Sequence, residues 1–190
     1  MASKRKHQKA VITLVLFVIT FTVFLYLAQS MSQSEQVQQL VSSFGYIGVV
    51  IVAVIAGLNA IVPIPAATFA PVFVAAGLSI PLVIIALTIG TLIADFVGFF
   101  LGRLSRVLIE ERHPKIFAFI TNFRENHAKW TLLFVAVYAA LAPLPNEIIL
   151  IPLALTGIRF TSLIIPLLIG NFFHHLLLVY GVIGLTTLLF

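Results

Sequence analysis

Of 190 residues, 61% are hydrophobic and 9% charged, with no cysteine and a formal net charge of +5. A water-soluble domain of this size could not bury so much apolar surface, and the lack of thiols excludes disulfides, thiolate metal sites and cysteine nucleophiles. The 11 Lys and Arg fall in three places, residues 4–9, 103–129 and 159, a distribution that suits membrane orientation rather than nucleic-acid binding.

The run from Ala10 to Ala28 holds 19 residues without an acidic or basic side chain. At about 1.5 Å per helical residue it matches a hydrocarbon core of roughly 30 Å, so a spanning helix is predicted there. Its basic start looks like that of a secretory signal, but the core is long and no small-residue cleavage site stands out before Gln29, so an uncleaved helix is expected. Gln29 to Ser43 carries Glu35 and no basic residue and reads as a short external loop. The positive-inside rule puts all three basic groups on the cytoplasmic side, with the N-terminus inside and the C-terminus outside. Residues 1–43 make up this first unit.

Residues 44–102 and 130–190 are two copies of one pattern. An offset of 80 superposes Pro63 on Pro143, Pro65 on Pro145, Gly77 on Gly157 and Gly90 on Gly170. Proline and glycine fix backbone geometry, so these coincidences weigh more than matches of Leu or Ile, and an internal repeat is expected. From each Pro-x-Pro to the following Gly run 11 residues, Ala66 to Ala76 and Asn146 to Thr156, about 17 Å as helix and roughly half a hydrocarbon core. Trp130 to Ala142 supplies 13 residues before the second tip. Segments this short suit hairpins that enter and leave by one face. Each is followed by a full spanning helix, Pro81 to Gly102 and Thr161 to about Leu188. Prolines at the first turn suit short helices starting inside the membrane, and paired helix N-termini there would favour an anion. Prolines that merely kink continuous helices are the alternative. The fold class expected is all-α integral membrane: an N-terminal spanning helix, then two inverted re-entrant hairpins, each with its spanning helix. Residues 103–129 join the copies as a cytoplasmic amphipathic connector in which apolar residues such as Val107, Ile116 and Phe123 alternate with charges.

Charged side chains within a bilayer are expensive, which makes each a functional candidate. Asp95 lies about two turns before Arg103 and reads as a proton-carrying or cation-binding carboxyl, or else as a structural hydrogen-bonding group. Glu147 follows Asn146 at the start of the second short arm, where an acid also suits a helix N-terminus. The offset sets His174 opposite Ala94 and His175 opposite Asp95, so an acid and an imidazole occupy corresponding places and could relay protons. Adjacent histidines project about 100° apart on a helix, which argues against a shared metal. Asn171, one turn before His175, could share its hydrogen bonds or act as interhelical glue. Arg103 and Arg106 suit headgroup contact at a membrane face.

GTLIADFVGFFLGR, Gly90 to Arg103, resembles the signature of the DedA family, with Gly90, Asp95, Phe99, Gly102 and Arg103 in the matching places, Ala94 where that family usually has Gly, and Phe99 where it often has Tyr. GNFFHHLLLVYG, Gly170 to Gly181, is similar to its closing helix, and the resemblance covers roughly residues 44–181. It implies the DedA and VTT-domain superfamily, with two inverted re-entrant hairpins and movement of lipids, including phosphate-bearing carriers, between leaflets. Family members carry an acid near the first tip and arginines around the second; here Ala66 and Ala67, and then Ala140 and Asn146, occupy those places, with Glu147 beside the second tip. The function expected is therefore DedA-like movement of an anionic or phosphate-bearing lipid across a prokaryotic plasma membrane, with proton coupling through Asp95 or Glu147. A proton-coupled exporter of small cations or drugs, and a non-transporting scaffold, are the alternatives. No nucleophile and base are paired as in an enzyme, and no cofactor is called for. Membrane lipids are the expected partners, with protons and further copies of the chain compatible.

Overall fold

The structure is a computed structural model that describes residues 19–58, 65–112, 114–115, 117–118, 121–122, 127–142 and 144–189. The described residues are all-helical, without strands. Helix α1 (Ile19–Ser32) is followed by α2 (Glu35–Gly57), a 3₁₀ turn at Ala66–Phe69, α3 (Ala70–Ala75) and α4 (Ile80–Leu104). Then come α5 (Arg106–Arg112), α6 (Ala128–Leu141), α7 (Glu147–Leu155), a second 3₁₀ turn at Phe160–Ser162 and α8 (Ile164–Leu189). Three of these, α2, α4 and α8, are long and apolar enough to cross a membrane. Their outward faces carry large apolar side chains, among them Ile47, Ile93 and Ile165, as a lipid-facing surface requires.

Much of the predicted first helix, and the prolines Pro63 and Pro143, lie outside the described residues. The segment read as an external loop is instead mostly helical: α1 continues through Ser32, and α2 begins at Glu35 after a turn at Gln33 and Ser34. Missing basic charge marks a side of the membrane, not a backbone conformation, and Glu, Gln, Val and Leu in this stretch are all compatible with helix. Hydropathy alone would let α2 cross as one piece. Gly45, however, adopts φ 55° and ψ −142°, which splits α2 and leaves the 12 residues from Tyr46 to Gly57 as a separate straight run of about 18 Å.

The matched glycines do matched work. Gly77 (φ 85°) and Gly157 (φ 79°) end the two short arms in the left-handed conformation that side chains resist. Gly77→Ala and Gly157→Ala should therefore each lower stability by about 1 kcal/mol, read as a fall in apparent Tm in detergent. Gly90 and Gly170 are contact points. A methyl group at Gly90 would fall 2.5 Å from the Ala53 Cβ and 2.6 Å from the Val50 carbonyl oxygen on α2. At Gly170 it would fall 2.6 Å from both the Ala136 carbonyl oxygen and the Ala139 Cβ on α6. Thus α4 packs closely on α2, and α8 packs closely on α6.

Contact order gives the directions. Ser79 donates its backbone N–H to the Tyr46 hydroxyl at 3.1 Å, Gly90 meets Val50 and Ala53, and Gly57 meets Ala94, so α2 and α4 run parallel. Ala94 stands 14 residues beyond Ile80 and 10 short of Leu104, about 21 Å and about 15 Å from the two ends, so α2 stops partway along α4. From there α7 takes over: Glu147 meets Gly98, Ile151 and Ala154 meet Gly102, and the Ile158 carbonyl meets Arg103. Small residues recur every fourth position along α4, Gly90, Ala94, Gly98 and Gly102, all buried, which permits close backbone approach where lipid supplies no hydrophobic drive for association.

The apolar interior forms two clusters. One gathers α2, the first 3₁₀ turn, α3 and the first half of α4, and takes Val179 from α8. The other gathers α6, α7 and the first part of α8, and takes Phe99 from α4. Phe99 and Val179 are 80 residues apart, so each half of the chain contributes the same position of the sequence offset to the other half's cluster.

Candidate functional site

The apolar pattern that makes α4 and α8 spanning helices is interrupted by polar residues at i and i+4 on each, Thr91 and Asp95 on α4 and Asn171 and His175 on α8. Such spacing puts each pair on one face. The faces meet where the helices cross. Asn171 Nδ2 donates to Asp95 Oδ2 at 2.8 Å, and Thr91 Oγ1 is 2.9 Å from His175 Nε2. Contacts rise on one helix as they fall on the other, so the crossing is antiparallel. Thr91 is equivalent to Asn171 and Asp95 to His175, so the two rungs are reciprocal, each residue bonding the counterpart of its neighbour.

A third element enters from the loop before α7. Asn146 Nδ2 lies 3.0 and 3.2 Å from the two carboxylate oxygens of Asp95 and donates at 3.0 Å to Asn171 Oδ1. Asp95 and Asn171 are 2% exposed. Two amides therefore solvate a buried acid that has no ion pair among the described residues. Tyr138 on α6 donates its hydroxyl to the Pro145 carbonyl at 3.3 Å, fastening the same loop from the other side.

A cavity of about 330 Å³ opens beside this network. Its polar wall is Thr91, Asp95, Asn146, Glu147, Asn171, His174 and His175; Pro65 and Ala66 face it from the first half of the chain and Leu144 and Pro145 from the second. Apolar side chains, Phe21, Leu144 and Leu178, supply much of the rest. The sequence-derived candidates Asp95, Asn146, Glu147, Asn171, His174 and His175 are brought together here, with Pro65 and Pro145. Arg103 is not among them. It lies near the end of α4 with an exposed side chain and donates Nη1 to the Ile158 carbonyl at 3.2 Å, just beyond the C-terminal end of α7.

Several pairings differ from the sequence-based expectation. Asn171 bonds Asp95 and Asn146, not His175, because the antiparallel crossing sets it against the acid. His175 bonds Thr91, not Asp95, and His174 Nδ1 lies 3.4 Å from the Ala140 carbonyl oxygen, so the adjacent imidazoles have different partners. Thr91 and Gly98 were not singled out from sequence. Thr91 was detectable as a hydroxyl one turn before an intramembrane acid. Gly98 belongs to the four-residue spacing of small residues on α4 and makes room for Glu147, whose Cγ would lie 2.9 Å from a methyl group added there.

Glu147, the first residue of α7, borders the cavity with its carboxyl unpaired by any cation among the described residues. His175 is 4% exposed, and its Nδ1 is buried without a hydrogen-bond partner. The wall thus presents carboxyl and amide groups and, among the described residues, no Lys or Arg side chain. Such a surface can hold protons and hydrogen-bond donors. Comparison of the chain with protein-family models, with curated proteins and with solved structures gives no match.

Proposed function

We propose that this protein is a DedA-like, multi-pass membrane transporter that moves a phosphate-bearing lipid between leaflets through the cavity between two re-entrant tips, with Asp95 as the proton-carrying group. The observation that carries the reading is Asp95, the one buried acid among the described residues, at the crossing of the two copies. Its carboxylate holds Asn171 of the last spanning helix and Asn146 of the second tip at once. Loss of the carboxylate's charge by protonation weakens both contacts and releases the second tip from α4 and α8. That is the local event an alternating carrier needs, and it occurs beside a cavity that both copies line.

Three features support inverted, re-entrant hairpins. The start of the Tyr46 arm lies beside the start of α4, yet the arm reaches only Ala94; α7 covers the other half of the same helix; and the rungs at the crossing are reciprocal. Inverted repeats with broken helices meeting near the midplane generate this pattern. The apolar part of the cavity wall suits an acyl chain, and the DedA resemblance of Gly90 to Arg103 favours a lipid over a soluble solute.

The test is twofold. In reconstituted vesicles the wild-type chain should accelerate transfer of tail-labelled phospholipid between leaflets, and acceleration should respond to an imposed proton gradient; no acceleration under any gradient removes the proposal. Spin labels at Tyr46→Cys, Ser79→Cys and Leu144→Cys should report depth by oxygen and nickel accessibility. The label at 144 is expected near the bilayer centre and those at 46 and 79 near one surface. A label at 144 with the nickel accessibility of a surface site would sink the hairpin arrangement.

A further inference from the structure

We infer that three arginines at one end of α4 form a binding site for the phosphate of an anionic phospholipid, separate from the cavity and independent of the transport reading above. They come from three segments and meet at one turn. Arg103, near the end of α4, donates Nη1 to the Ile158 carbonyl at 3.2 Å. Arg106, the first residue of α5, brings its Nη1 to 3.0 Å from the place a Gly157 Cβ would take. Arg159 follows directly in the chain and is exposed, with no ion pair among the described residues. The corresponding turn of the first half has no such charge: nothing among the described residues lies within 4 Å of the Cβ position of Gly77, and Ser79 stands where Arg159 does. The cluster therefore belongs to this end of the molecule and not to the repeated turn.

Among the described residues these arginines have one acidic partner, Glu110, whose Oε2 lies 3.8 Å from Arg106 Nε. The Phe117 ring, its centroid 5.4 Å from Arg106 Cζ, holds that side chain without neutralising it. A guanidinium has five N–H donors, so Arg103 and Arg106 keep donors for phosphate oxygens, and Arg159 has all of its own. Apolar surface continues from the charge. Phe96, Phe100 and Arg103 stand at i, i+4 and i+7 on one exposed face of α4. Phe160, next to Arg159, packs its ring on Phe96 at 5.1 Å between centroids. Because α4 is long and apolar enough to cross a membrane, this face runs from the hydrocarbon to its arginine end. An anionic phospholipid has the same order, its phosphate on the arginines and an acyl chain along the phenylalanines. A soluble phosphate matches only the charged half.

The experiment measures retention of radiolabelled phosphatidylglycerol by the full chain in mixed detergent micelles, titrated to saturation. Saturable binding is expected, with phosphatidylcholine at least about tenfold weaker. Arg159→Gln, which removes no hydrogen bond or ion pair among the described residues, should weaken binding about fivefold, and Arg106→Gln should do the same. Arg112→Gln removes the same charge at the other end of α5, about 9 Å along the helix, and should stay within about twofold. Phosphatidylglycerol should also raise the apparent Tm of the wild type and leave that of Arg159→Gln unmoved. Unchanged apparent Tm without lipid shows that each variant is folded. Absence of saturable binding, equal retention of phosphatidylcholine, or equal losses in Arg112→Gln and Arg159→Gln overturns the inference, the last by showing diffuse attraction of charge in place of a site. Full competition by soluble glycerol phosphate at equal concentration identifies a site for free phosphate and overturns the assignment to a lipid. Transfer between leaflets is no part of this measurement, so the site and the transport reading fail separately.

Discussion

Asp95→Asn should abolish proton-dependent transfer and slow the residual rate by at least about tenfold, while the chain still inserts and folds. The carboxylate offers two acceptor oxygens to the amides of Asn146 and Asn171, at 2.8–3.2 Å. An Asn side chain offers one oxygen and an NH₂, so a donor now faces a donor inside a buried network, at a cost of about 1–3 kcal/mol. The titratable group is lost in the same step. Reciprocity at the crossing makes a sharper test possible. In Asp95→Asn/Asn171→Asp the acid moves to α8, Asn at 95 becomes its donor, and Asn146, already 3.0 Å from the 171 side-chain oxygen, still serves both. The double swap should recover most of the lost thermal stability and part of the proton dependence. If it is no better than the single variant, the acid's place on α4 matters for reasons other than this network.

The second large effect is expected at the helix contacts. Gly90→Val and Gly170→Val should each cost about 3 kcal/mol or more and fall below the threshold for a well-folded preparation, judged by apparent Tm and by recovery as a single species in detergent. In each case the first added carbon would sit about 2.5 Å from atoms of the preceding arm, including a backbone carbonyl that cannot yield. Packing is the main force between helices in lipid, so parting them there forfeits it. Gly184 serves as the control, because nothing lies within 4 Å of the position its Cβ would take. Gly184→Val should stay within about 0.5 kcal/mol. Equal damage at all three positions would show that valine in these helices, not the contacts, is responsible.

Membrane residence was legible from 61% hydrophobic composition, and the long helices from their runs without charge. The predicted spans, Pro81 to Gly102 and Thr161 to about Leu188, agree closely with Ile80–Leu104 and Ile164–Leu189. The short arms were equally clear, since Pro and Gly delimit them and both glycines do take positive φ. The stretch from Gln29 to Ser43 was misread because charge sign carries topology and not backbone conformation. Its neighbour α2 shows the converse, a continuous apolar run divided by the backbone of a single glycine at 45.

Of the site, the residue types were visible and the pairings were not. Asp95, Asn146, Glu147, Asn171, His174 and His175 stand out because polar groups are rare in lipid-spanning sequence, and all of them border one cavity. Nothing local says that Asp95 takes its donors from Asn146 and Asn171, that His175 goes to Thr91, or that Arg103 holds the Ile158 carbonyl after α7 instead of facing the cavity. Sequence by itself determined the solvent, the lengths and the punctuation, because each depends on transfer energy or backbone torsion within one segment. The tertiary structure alone decided who meets whom, because partners across helices follow from the direction and register of a crossing, and those are set by where small residues let two backbones touch.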